Sequence, residues 1–238
     1  MKNIKLFLSI CITIGFLTSC EKIEGTGPIV SEVRNVKNYQ GLRLSICGQI
    51  NFQVSPVYHV ELLAQENILN EIVTKMESND LSIKWDHPIR VRNCEDITVN
   101  ITGPDLDNVQ ISGANDLIVT GEVAHRNLDL AISGSGNIKM QDVLIDDNIK
   151  TEISGSGRIY MNHGRAHSTS IYVSGSGETD LGKVLTRKNT SYISGSGRVV
   201  VNVAEYLEAH ISGSGDVYYY GNPRVDAKVS GSGRVKQQ

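Results

Sequence analysis

Cysteine is scarce in this chain, with four in 238 residues, and that excludes a disulfide-dense scaffold. Positive charge is not concentrated either. The 23 Lys and Arg face 26 Asp and Glu, a formal net charge of −3 with no basic cluster, so nucleic acid is not an expected partner. Long apolar runs are missing: nothing after residue 17 approaches the roughly 20 residues that a membrane-spanning helix needs. Catalytic constellations do not stand out. A nucleophilic serine needs a base oriented beside it, and the serines here sit in repeated Ser-Gly-Ser-Gly blocks that read as structure. Gly134-Ser135-Gly136 meets a nucleophile-elbow pattern only if its spacing is ignored. A glycine-rich phosphate cradle needs a following helix, whereas strand-like sequence follows these glycines. His163 and His167 are four apart, which converges metal ligands on a helix but not on a strand-to-loop stretch. No cofactor or metal is expected.

The first twenty residues read as an address. Lys2 and Lys5 give a basic start, and Leu6 to Leu17 is a short apolar run, the layout of a secretory signal. It ends in Leu17-Thr18-Ser19-Cys20, which resembles the bacterial lipobox, where the cysteine becomes the first mature residue and carries lipid. Residues 1–19 are thus expected to be a lipoprotein signal peptide. Residues 20–28, polar and Gly/Pro-bearing, form a lipidated tether. Each buried lipid methylene contributes roughly 0.8 kcal/mol, so several chains hold a protein firmly. The membrane is therefore an expected partner through Cys20, and the cell outer membrane the expected location, on either side. Cys47 and Cys94 remain. In an oxidising exterior they either pair or stay as two buried thiols.

What the chain has in abundance is repetition. Ile132-Ser133-Gly134-Ser135-Gly136 recurs from Ile153, Val173, Ile193, Ile211 and Val229, and a worn copy begins at Ile111. The steps are 21, 21, 20, 20, 18 and 18 residues. Flexible linkers are not separated by regular apolar runs, and here apolar residues flank each block two apart: Ile138/Met140, Ile159/Met161, Val199/Val201. That period, with β-branched residues, means strands. A near-constant period of short strands and identical bends points to stacked coils. The expected fold is all-β, a right-handed parallel β-helix of about 18–21 residues per coil. Glycine suits the bend because it accepts positive φ and lets one corner lie flat on the next; stacked serines could exchange hydroxyl bonds.

If the coils stack in register, the residue after each block forms a column: Asp116, Asn137, Arg158, Glu178, Arg198, Asp216, Arg234. No like charges adjoin in it, as cross-strand pairing prefers. The outward residue before each block runs Ala131, Glu152, Tyr172, Tyr192, His210, Lys228, with Tyr160 and Tyr218 on the following strand. Such an aromatic stripe either packs on a ligand or steadies the sheet by stacking. Residues 29–99 lack the block but keep alternating strands such as Ile50, Phe52, Val54 and Leu81, Ile83, Trp85. They are expected to form divergent coils and a cap, with Ile46-Cys47-Gly48-Gln49-Ile50 a worn bend, a short helix near Glu66–Ile72, and the repeat solenoid over 100–238.

The Ser-Gly-Ser-Gly blocks from Ser133 to Gly233, together with Val57–Trp85 and its Gln65-Glu66-Asn67-Ile68-Leu69 segment, resemble the auto-transporter adhesin, head GIN domain family of secreted Bacteroidetes proteins. The similarity covers nearly all the mature chain. It implies a right-handed β-helix with an adhesin-like surface role and supplies no catalytic or ligand residues to transfer.

Three readings of function follow. The first is a lipid-anchored cell-envelope adhesin or scaffold without catalysis, touching a glycan or surface protein through Tyr172, Tyr192, His210, Tyr160 and Tyr218. The second is a polysaccharide-active β-helix enzyme using a carboxylate pair, the candidates being Glu95-Asp96, Asp105/Asp107 and Asp146-Asp147. The third is an envelope scaffold assembling end to end.

Overall fold

The computed structural model describes residues 21–238; the signal and Cys20 lie outside the described residues. Over the repeats the chain winds into a β-solenoid of about six turns. The strands Asn115–Gly134, Asn137–Gly155, Arg158–Gly175, Glu178–Gly195 and Arg198–Gly213 lie parallel, each on the one before. Asp216–Tyr220, Arg224–Gly231 and Arg234–Gln237 complete the stack.

The bend explains its own composition. The first glycine of each block has φ between +116° and +128° from Gly134 to Gly231, a region that side chains with a Cβ avoid. Contact is an independent constraint. A Cβ at Gly134 would lie 2.5 Å from the carbonyl oxygen of Gly113, one coil below. The second glycine needs only the space, since a Cβ at Gly157 would meet the Gly136 carbonyl at 2.5 Å. What joins the corners is backbone. Ser135, Ser156 and Ser176 donate their N–H to the carbonyls of Gly113, Gly134 and Gly155, each at 2.9 Å. The expected hydroxyl ladder does not form among the described residues; the corners are joined by these backbone bonds instead. The serine hydroxyls face outward.

The charge column stands in register. Asn137 Nδ2 donates to Asp116 Oδ1 at 2.6 Å, Glu178 lies between Arg158 (3.8 Å) and Arg198 (3.6 Å), and Arg234 pairs with Asp216 at 3.1 Å. These are surface pairs, each contributing well under 1 kcal/mol.

The N-terminal third departs from sequence order. Gly41–Ser45 lies between Asp80–Trp85 and Asn108–Gly113, and Gly48–Val54 between Thr98–Gly103 and Asn115–Gly134. The first coil in the chain is therefore second in the stack. Antiparallel strands cover the end: Ile72–Glu77 on Asp80–Trp85, His59–Gln65 on Thr98–Gly103, and Ile29–Val33 on His59–Gln65. The helix is Glu66–Leu69, burying Ile68 and Leu69. A disulfide joins Cys47 to Cys94 with their Cα atoms 5.4 Å apart, tying the bend of one coil to its neighbour. At the other end Arg224–Gly231 is exposed throughout.

Inside, columns of Ile, Leu and Val are closed to water. The interior is not wholly aliphatic, however. Asn189 is buried and donates to Thr169 Oγ1 at 2.7 Å, while Ser191 Oγ donates to Asn189 Oδ1 at 2.7 Å. In the worn copy, buried Asn115 takes the place of the second glycine and donates to the Ile46 carbonyl at 2.9 Å. That bond secures the bend where the repeat begins.

Candidate functional site: a groove along the coils and a notch beside it

The outward column before each block forms one wall of a groove of about 810 Å³ that follows the solenoid axis. Its other wall is the serine column from Ser112 to Ser230, and its floor is the backbone of the aliphatic column between them. Seven coils line it, so at ~4.8 Å per step it extends for ~29 Å. On the first wall Tyr172 and Tyr192 stack with centroids 5.2 Å apart and planes 4° apart. His210 continues the ladder at 4.7 Å and 13° from Tyr192. In-register pairing of Glu152, Tyr172, Tyr192, His210 and Lys228 places them there.

The ladder's geometry limits what it can grip. Tyr192 has a ring on each face, and Tyr172 has Tyr192 on one face and the Lys150 ammonium 5.9 Å from its centroid. Ring edges and hydroxyls, not free faces, therefore line the groove. Neither tyrosine hydroxyl has a hydrogen-bond partner among the described residues, whereas His210 Nε2 lies 2.9 Å from Glu208 Oε1. Backbone groups of the coils are spent on one another, so an occupant meets side chains. An extended peptide advances ~3.3 Å per residue and would drift out of step with the ~4.8 Å coil rise.

Tyr160 and Tyr218 do not join this groove. They lie past the bend on another face, where Arg198 sits 4.9 Å over the Tyr218 ring and Lys183 6.0 Å over the Tyr160 ring. Tyr160 lines a separate notch of about 340 Å³, with Asp180, Gly182, Val200 and Tyr220 among its other walls. Alternation in the sequence tells in from out but not how sharply the coil turns, so the grouping of Tyr160 and Tyr218 with the ladder does not hold in three dimensions. Nor does alternation mark the serine wall or Gly182 as lining a concavity. The available signal for Gly182 was a gap in a column otherwise held by Gln141, Asn162, Asn202 and Tyr220.

None of the candidate acid pairs lines either concavity. Asp96 accepts from Gln65 at 3.1 Å, Asp105 lies 3.4 Å from His125, and Asp147 lies 3.9 Å from Arg126. Burial raises the Asp107 carboxyl above its ordinary range, opposed by nearby His125.

Fold and groove together define a class: a capped parallel β-solenoid with a long concave flank and a bend of fixed composition. The chain belongs to the family described as "putative auto-transporter adhesin, head GIN domain", whose model matches residues 38–223. Among solved structures it is similar to a "putative adhesin" from Bacteroides fragilis NCTC 9343, at 22% identity and a TM-score of 0.83 over 91% of this chain and 100% of that one. A "putative lipid binding protein" from Parabacteroides distasonis ATCC 8503 aligns at 21% identity and TM-score 0.74, over 92% of this chain and 100% of its own. A "putative adhesin" from the same strain gives 20% and 0.71 over the same shares. At these identities the likeness is one of fold. No curated protein matches the chain.

Proposed function

We propose that this chain is an adhesin-like binding protein of the cell envelope, without catalysis, held to the outer membrane by lipid on Cys20. Its contact surface is the groove beside the Tyr172–Tyr192–His210 ladder. The observation that carries this reading is the groove's repetition. Each coil sets a serine hydroxyl across from the outward column, and the same floor recurs at each ~4.8 Å step. A linear polymer with a unit of comparable length, such as a glycan chain, meets equivalent groups at successive coils. Modest contacts then add through multivalency. The family's description as adhesins and the lipobox-like Leu17-Thr18-Ser19-Cys20 support the envelope setting.

The test is adherence of the purified protein to a panel of immobilised linear polysaccharides. The double variant Tyr172→Ser/Tyr192→Ser should lose at least about tenfold in apparent affinity with its melting curve little changed, since losing two hot-spot contacts costs more than ~1.4 kcal/mol. Equal adherence would dispose of the groove. For the anchor, Cys20→Ser should release the protein from membranes, and protease shaving of intact cells reports which side it faces.

A further inference from the structure

The notch past the bend has a different chemistry from the groove, and its shape comes from one residue. Counted from the last glycine of each block, four coils carry Gln141, Asn162, Asn202 or Tyr220 where the coil between them carries Gly182, and the strand bulges there, so that Asn202 pairs with Leu185. The backbone there does not demand glycine, for Gly182 is not among the residues with positive φ. A Cβ at 182 would instead approach Tyr220 Cε2 and Val200 Cγ1 to 3.1 Å, and Asp180 Oδ1 to 3.2 Å. Gly182 thus supplies space, and Val200, only 6% exposed, becomes part of the floor.

Around that space the polar groups fall into spent and unspent sets. Arg198 is committed to Glu178 at 3.6 Å and to the Tyr218 ring. Asn162 accepts from both the Tyr160 hydroxyl (3.2 Å) and Lys183 Nζ (3.3 Å), which fixes one side of the notch. By contrast, Asp180 uses Oδ1 to accept the Gly182 N–H at 2.9 Å and has no ion-pair partner among the described residues. The Asn202 carboxamide has no partner among them either. Tyr220 is 42% exposed, and no ring or cation covers its face among the described residues, unlike Tyr172, Tyr192, Tyr160 and Tyr218.

One free aromatic face, an apolar floor, an unpaired carboxylate and an unpaired carboxamide match the two sides of a sugar ring. Its C–H face packs on an aromatic ring, and its hydroxyls donate to carboxylate and amide oxygens. We propose that the notch between Tyr160 and Tyr220 is a binding site for a single pyranose ring of a neutral glycan, seated on Tyr220 and held by Asp180 and Asn202. A purely apolar ligand would bury Asp180 and Asn202 unpaired. Lys183 is held by Asn162, and Arg198 by Glu178 and the Tyr218 ring, so the charge left facing the space is the Asp180 carboxylate, which an acidic sugar would oppose. The site is independent of the groove and stands whether or not the groove binds a polymer.

Saturation-transfer NMR on the purified protein tests it, with the methyl pyranosides of glucose, galactose, mannose and N-acetylglucosamine as probes. At least one should receive saturation, strongest at its ring C–H protons. Tyr220→Ser and Gly182→Val should each reduce the signal at least about tenfold, whereas Tyr172→Ser/Tyr192→Ser should leave it unchanged. Tyr220 is exposed, so its variant decides the matter even if Gly182→Val fails to fold. No transfer to any of the four would overturn the proposal. So would transfer that survives Tyr220→Ser, or that disappears only when the groove tyrosines are replaced.

Discussion

Tyr39 has no exposed surface, and its hydroxyl donates to the Thr102 carbonyl at 2.6 Å and the His59 carbonyl at 3.3 Å. Burial disfavours the tyrosinate and pushes the hydroxyl up to about 12, against 10.0 ordinarily. In the unfolded chain the phenol ionises near its ordinary value, so the unfolded state gives up its proton first. The stability tied to this group is therefore complete below pH 10 and is lost as pH rises toward about 12. Thermal melts across that window should show a falling Tm. Tyr39→Phe should flatten the fall, at a cost near neutral pH of about 1 kcal/mol for the lost hydrogen bonding. An equally steep decline in Tyr39→Phe would assign the alkaline sensitivity to another group. Asn189 teaches a related lesson. Sequence alternation marks it as inward-facing, but only the stack reveals that Thr169 and Ser191 are there to satisfy it.

At the scale of elements, the bend is the most constrained piece. Gly155 combines φ +128° with a carbonyl, that of Gly134, where its Cβ would go. Gly155→Ala should cost more than the ~1 kcal/mol of an ordinary strained glycine site, because contact adds to conformation. Ser154→Ala, one residue away with an outward hydroxyl, should change the unfolding free energy, measured by denaturant titration, by less than about 0.5 kcal/mol. Comparable losses for both would mean that the hydroxyls, not the glycine geometry, hold the corner. The disulfide belongs to this scale too. It closes a separation of 47 residues, which by the chain-entropy relation corresponds to about 4 kcal/mol. Reductant should accordingly lower the cooperative melting temperature of the capped end, and an unchanged melt would show that the antiparallel strands suffice without it. The repeat elements were legible in the primary structure because each bend is written nearly the same way, from Ile132 to Val229. The coil order near the N-terminus was not legible. Gly41–Val54 carries no Ser-Gly-Ser-Gly, and nothing in its alternation says that it slots between segments that come later in the chain.

Across the whole molecule, one geometric fact produces every surface of interest. Lateral identity of the coils turns a sequence repeat into vertical rows, and the rows make the tyrosine ladder, the serine wall and the charge column. Row identity could be read from sequence, as the pairing of Tyr172 with Tyr192 and then His210 bears out. Concavity could not, because it depends on how the corner turns between adjacent faces. That is why the groove and the Gly182 notch emerged only in three dimensions.

The central claim is that all seven bends stack in register as one continuous flank. A pulsed electron-spin distance measurement between labels at Ser112→Cys and Ser230→Cys, in a Cys20→Ser background, tests it most directly. Six coil steps place the two backbones ~29 Å apart, so the account expects a single narrow distribution near that value, widened only by the label linkers. A broad distribution, or one centred far beyond it, would mean that the bends do not lie over one another, and the groove would vanish with them.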